Sequence, residues 1–283
     1  MKICDSATAF VAHYEPTIAY LENYFAHNQE QFTEYFTYHC LRKEQKMQDA
    51  LGKHPAQLKQ IQQMAQQMPK LITEIVRFYE ITYRVQFTQN VHLLVGIYGS
   101  NAYTYRQYNP EIAFCLEKLS PQEAHLSVII AHEFGHALHN LLSMQENIAW
   151  EMVDWANPVT WLLQEGVATY FSMQAVNARA DVYFAYDDDL EWLVFCQAHE
   201  QQIVEKFRQD LQQCATQEMF KEWFSINGGA QFGYTRLGYY IGYRCVQELV
   251  RQYGELEAVT LWKTATFQEC MHKQLEQLEQ QTF

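Results

Sequence analysis

Residues 125–140 read His-Leu-Ser-Val-Ile-Ile-Ala-His-Glu-Phe-Gly-His-Ala-Leu-His-Asn, and their reading decides what kind of chain this is. Within them His132-Glu133-Phe134-Gly135-His136 has the form H-E-x-x-H. On a helix, residues four apart lie one turn above each other on one face. Two imidazoles so placed can share a metal ion. Zinc accepts imidazole nitrogen at about 2.0–2.1 Å, and a catalytic zinc site keeps three protein ligands and one position for water. Glu133, next to the first histidine, is placed to accept that water's proton.

The surroundings of the motif predict a helix. Ser120-Pro121-Gln122-Glu123 has an N-cap residue, a proline suited to the first helical position and a glutamate in the first turn. The apolar residues Leu126, Val128, Ile129, Ile130 and Ala131 belong in a core.

Two histidines need a third ligand. A histidine ten residues after the first would complete H-E-x-x-H-x-x-G-x-x-H, but His139 stands where the glycine should be and Leu142 where the histidine should be. His139 could itself approach the metal, yet three ligands climbing one straight helix span about 10 Å, which suits tetrahedral zinc poorly. A packed or outer position fits His139 better. Glu165, in Gln164-Glu165-Gly166-Val167-Ala168-Thr169-Tyr170, lies 29 residues after His136. That interval suits a helix end, a connection, and half of a helix packed antiparallel. Trp161-Leu162-Leu163 before it and Val167-Ala168 after it make an apolar setting in which a carboxylate needs a cation. Gly166 and Ala168 are small where two helices would meet. His132, His136 and Glu165 are therefore the expected ligands of one catalytic Zn2+.

The rest of the chain excludes several classes. The 283 residues carry a net charge of −13, which argues against nucleic-acid backbones as partner. No apolar run approaches the roughly 18–20 residues that span a bilayer, and Met1-Lys2-Ile3-Cys4-Asp5 turns polar too soon for a signal-peptide core. The expectation is a soluble, cytoplasmic protein with no membrane partner. Seven scattered cysteines with no C-x-x-C predict reduced, packed thiols.

Taken in order, residues 7–49 read as helix with a break at His27-Asn28, and residues 51–55 as a second break where Gly52 and Pro55 combine. From Ala56 to about Tyr79 the pattern is helical, with a kink or restart at Pro69. Residues 91–98, 102–105 and 111–117 read as strands. The 112–116 segment is either an ordinary structural strand or an edge that pairs with an extended peptide. Asn157-Pro158 opens a buried helix to about Val176, residues 181–214 read as further helix with Asp187-Asp188-Asp189 near its start, and residues 234–252 as a last major helix. In that helix Arg236, Tyr239, Tyr240 and Tyr243 are expected on one side and Gly238 and Gly242 on the other.

With H-E-F-G-H followed by E-G-V-A, and the Gly-Tyr-rich stretch from Arg236 to Tyr243, the chain resembles the gluzincin metallopeptidases, and among them poorly characterised bacterial zinc-dependent proteases. The resemblance covers roughly residues 85–255. It implies a zincin-like catalytic domain over 85–283 with a small β-sheet before the H-E-x-x-H helix; with the N-terminal helical segment read from the pattern of residues 1–84, which the resemblance does not cover, the expected fold is α+β and mostly α-helical. It also implies peptide or protein substrates, Glu133 as general base, and Tyr239 as oxyanion donor, with Arg236 and Tyr243 behind it. Two departures matter. Thr169 stands where the thermolysin group has an aspartate that orients a ligand histidine, leaving Thr169, Asp154 or a carbonyl for that task. The G-x-M-E-N signature of aminopeptidases is absent, which favours an endopeptidase or oligopeptidase. The same water activation could serve a non-peptide amide or ester. A metal-stabilised interaction protein would also bind zinc, but would have no use for Glu133.

Overall fold

The computed structural model describes residues 1–280 and divides the chain into two compact units, residues 1–134 and 135–283, whose boundary falls inside one helix. The fold is α+β and mostly helical, with one four-stranded sheet.

The first unit opens with β1 (Ile3–Asp5), a strand too short to announce itself in the sequence, and α1 (Ala7–Ala12), α2 (Ile18–His27) and α3 (Gln29–Glu34) follow. A π-helical turn, Tyr35–His39, then leads to α4 (Lys43–Tyr83). The break expected at residues 51–55 is absent, as is a restart at Pro69: α4 runs 41 residues through both prolines. The chain turns earlier, at Arg42, whose φ of 61° is left-handed. Burial explains why proline does not end the helix. Ala50, Ile61, Met64, Met68, Ile72 and Tyr79 form a buried stripe at helical spacing, and tertiary packing of that stripe outweighs a local propensity penalty of about 3 kcal/mol per proline. The intervening glutamines face outward as expected.

The sheet contains β1, β2 (Val91–Leu94), β3 (Ala102–Thr104) and β4 (Ile112–Cys115), in the order β1-β2-β4-β3. β2 runs parallel to β1 and β4, with Leu93 opposite Phe114, while β3 is antiparallel to β4. β2 and β4 are buried along their whole length, as strands covered on both faces are. β4 is paired on both sides, so the 112–116 segment cannot be an edge that receives a peptide. The antiparallel edge is β3.

α5 (Glu123–Gln145) carries H-E-x-x-H. It begins two residues after Pro121, because the Ser120 hydroxyl accepts the Gln122 N–H at 3.4 Å and pairs with His125 Nδ1 at 2.8 Å. Within the first unit, Tyr79 Oη donates to the Ala131 carbonyl at 3.0 Å and Phe87 meets Phe134 edge-on at 5.1 Å. These contacts seat the start of the motif on α4 and on the segment that follows it.

The second unit is helical: α6 (Pro158–Ala175), α7 (Val182–Ala185), α8 (Leu190–Ala198), α9 (Glu200–Gln213), α10 (Thr216–Met219), α11 (Leu237–Tyr253), α12 (Glu255–Val259) and α13 (Phe267–Gln280). α6 starts as Asn157-Pro158 dictates, with the asparagine side chain accepting the Val159 N–H at 2.9 Å. The 181–214 stretch is three helices, and Asp189 caps α8 by accepting the Trp192 N–H. Arg236 lies before α11, at a left-handed φ of 59°, and so does not share the helical face of Tyr239 and Tyr243. The seven cysteines are all free. Among the described residues no helix is long and apolar enough to cross a membrane.

Candidate metal centre

Three contacts without side chains build the site. Gly135, in the middle of the motif, faces Ala168 so closely that a Cβ on it would lie 2.9 Å from the Ala168 carbonyl oxygen. On the other side of α6, a Cβ on Gly166 would lie 2.2 Å from the Gly242 carbonyl oxygen, and one on Gly242 2.4 Å from that of Leu162. No residue but glycine fits such distances without moving a backbone. α6 is thus held against α5 by its Ala168 side and against α11 by its Gly166 side. Glu165 directly precedes Gly166 and lies three residues before Ala168.

The result brings the predicted ligands together. One donor atom from each of His132, His136 and Glu165 lies within 4.8 Å of the others, and His136 Nε2 is 3.5 Å from Glu165 Oε2. Donors on tetrahedral zinc at 2.0–2.1 Å stand about 3.4 Å apart. Two imidazoles and a carboxylate are a zinc-type donor set, and the residues present fit the ion. His132 is buried and Glu133 nearly so, while the side chains of His136 and Glu165 keep 16% and 21% of their surface. The mouth of the site opens on that side.

His139 is placed elsewhere. Its ring stacks on Trp262 at 4.0 Å and 14°, it bonds to the Val259 carbonyl, and burial holds it neutral by lowering its pKa to about 3. Trp262 in turn donates from Nε1 to Ser143 Oγ at 2.7 Å. No sequence signal links residues 139 and 262. Of the groups considered for orienting a ligand histidine, Asp154 accepts the Ala156 N–H in its own exposed turn. Thr169 is fully buried one turn after Glu165, and among the described residues its hydroxyl has no hydrogen-bond partner.

The Tyr-rich helix sorts itself. Tyr240 is buried and donates to Glu200 Oε2 at 2.5 Å. Tyr243 Oη accepts from Gln247 at 3.0 Å, and its ring meets Phe184. Arg236 reaches the Ala185 carbonyl at 3.5 Å. Tyr239 is half-buried and, three residues before Gly242, lies nearer the glycine side of α11 that meets α6 than the opposite-side arrangement expected from the sequence.

Residues 4–260 match the model of a family described as "putative zinc dependent peptidase (DUF5700)". The chain belongs to this family. The match starts at residue 4, so the family includes the N-terminal helices and β1 as well as the motif helix. No curated protein and no solved structure matches the chain.

Proposed function

We propose that this chain is a gluzincin-type, zincin-like peptidase that hydrolyses internal bonds of peptides or proteins, with one catalytic Zn2+ held by His132, His136 and Glu165. The observation that carries the reading is the convergence of these three donors beside Glu133. Bound there, zinc supplies a Lewis acid that polarises the peptide carbonyl and brings a coordinated water towards a pKa of about 7.

The chain's own groups do the rest. Glu133 accepts the proton as water adds to the carbonyl carbon, then delivers it to the leaving amine as the C–N bond breaks. Its nearly complete burial keeps the carboxylate weakly solvated and close to its task. Tyr239 donates to the developing oxyanion. Its place three residues before Gly242, which packs on α6, supports the choice, and the Tyr240 hydroxyl already donates to Glu200. All these groups lie in residues 85–283.

Glu133→Gln should retain zinc and lose peptidase activity by about 10²–10⁴. The check is metal content beside turnover of a peptide mixture; a zinc-loaded variant that cleaves at the wild-type rate removes Glu133 from the role. Tyr239→Phe should lower kcat by roughly 10²–10³, and an unchanged kcat moves the oxyanion donor elsewhere.

A further inference from the structure

Trp161 lies four residues before Glu165 on α6, on the same face and about 6 Å along the axis. Its indole is fixed: Nε1 donates to the Trp155 carbonyl at 2.8 Å, and the ring packs edge-on against Phe220 and Phe224 at 5.4 and 5.5 Å. Trp155 meets Trp262 edge-on at 5.8 Å, and Trp262 is the ring on which His139 of α5 stacks. This aromatic shelf is therefore tied to both helices that carry the expected ligands of the second unit, His136 and Glu165.

The shelf is also open. Trp155 is 41% exposed, Phe220 51% and the neighbouring Met152 80%. Clustered exposed apolar rings on a soluble surface mark binding sites, and rings already held in place lose little entropy when a ligand arrives. The rim bears both signs, with Glu151 and Asp154 exposed between Trp150 and Trp155 and Lys221 exposed beside Phe220, so the rings rather than a net charge select the occupant. Fixed aromatic rings set one helical turn from Glu165 suit a bulky apolar group.

We infer that Trp161, Trp155 and Phe220 form the subsite for a bulky apolar side chain of the substrate peptide. An extended peptide rises about 3.4 Å per residue, so a ring one helical turn from Glu165 meets a side chain one or two residues from the scissile bond. The inference rests on the peptidase reading of the same centre and names the substrate class that reading leaves open.

The test walks a single Phe through an Ala/Ser/Gly host peptide. Cleavage by the zinc-loaded full chain is mapped by mass spectrometry, and binding of the same labelled peptides to the Glu133→Gln protein is measured by anisotropy. Cutting should occur one or two residues from Phe, with kcat/KM and affinity at least about 10-fold above the Phe-free host. Trp161→Ala should bring both ratios to within about 2-fold of unity, and Trp161→Leu, which keeps bulk and guards against misfolding, should retain part of the preference. Equal treatment of the Phe and host peptides by the parent proteins overturns the subsite, as does a preference untouched by Trp161→Ala and Trp155→Ala. If no peptide is cut but Trp161-dependent Phe binding persists, the subsite stands and the peptidase reading falls. If neither cutting nor selective binding is seen, both fall.

Discussion

Where α6 meets α11, Gly166 and Gly242 bring two backbones together with no side chain between them. Where β2 ends, residues 95–99 are held instead by side chains from three other segments. Tyr24 Oη accepts the Val95 N–H at 3.1 Å, Tyr35 Oη accepts those of Ile97 and Gly99, each at 2.9 Å, and the Glu117 carboxylate accepts those of Gly96 at 2.8 Å and Tyr98 at 3.0 Å. His54 Nε2 adds a contact to the Gly96 carbonyl at 3.0 Å. Both regions fix backbone geometry, but by opposite means. The glycine seam leaves no room for an added atom; the polar cage has no spare acceptor to lose. One should fail by addition and the other by subtraction.

The largest effect is expected from subtraction. Glu117→Leu leaves one buried and one part-buried amide without their acceptor, and each such group costs up to about 1–3 kcal/mol. A loss of about 2–6 kcal/mol in denaturant-measured stability should follow. A loss under about 1 kcal/mol would mean that the loop finds other acceptors, and the cage would no longer contrast with the seam.

Next comes the cage's response to pH. Burial raises the Glu117 carboxyl from 4.5 to about 7 despite the two amides that favour its charged form. Between those values the folded chain keeps a proton that the unfolded chain has released. Stability should therefore be highest below pH 4.5, fall as pH rises to about 7, and level off above it. At about 1.4 kcal/mol per unit the fall is roughly 3 kcal/mol. His54, lowered to about 4 by burial, contributes the opposite slope below 6.5. The quantity to plot is thus the difference between wild type and Glu117→Gln, which cancels groups common to both. A flat difference between pH 4.5 and 7 would show that Glu117 titrates normally.

Addition is tested in the seam. Gly166→Ala puts a methyl 2.2 Å from a backbone oxygen, and such overpacking costs about 1–3 kcal/mol. Its effect on activity should exceed its effect on stability, since a 1 Å displacement of a catalytic group can cost about 10²-fold and Glu165 is the neighbouring residue. Activity that merely tracks the folded fraction would separate the seam from the metal centre.

The sequence made these two regions legible to different degrees. The seam was readable because its parts are local. Gly166 and Ala168 follow an acid in an apolar helix, Asn157-Pro158 marks where that helix starts, and Gly238 and Gly242 recur at one-turn spacing. The cage was not, because its acceptors come from residues 24, 35 and 117 and nothing in any one stretch announces the others. The same reason hid β1, whose three residues form a strand only because β2 is beside them. It also hid the continuity of α4, where the buried stripe overrides Gly52 and Pro55, and the stacking of His139 on a tryptophan far along the chain. The grouping of His132, His136 and Glu165 needed only helix periodicity and one neighbouring helix.

The smallest effect belongs to a residue that sits in the seam but behaves like a broken piece of cage. Thr169 is fully buried, and its hydroxyl has no hydrogen-bond partner among the described residues. A buried hydroxyl in that state costs about 1–3 kcal/mol relative to a satisfied one. Thr169→Val keeps the shape and removes the polar atom, so in the metal-free protein it should be neutral or stabilising by up to about 1 kcal/mol. Thr169 lies one turn after Glu165, on the side where a ligand-orienting group is needed. If its hydroxyl takes a partner when the centre is loaded, the same substitution should weaken zinc binding by about 10–100-fold. Thermal stability without metal and zinc affinity by competition with a chelator measure the two effects separately. A rise in the first with a fall in the second would make Thr169 a group kept unsatisfied for the metal's sake; a rise in the first alone would reduce it to a packing residue that valine serves as well.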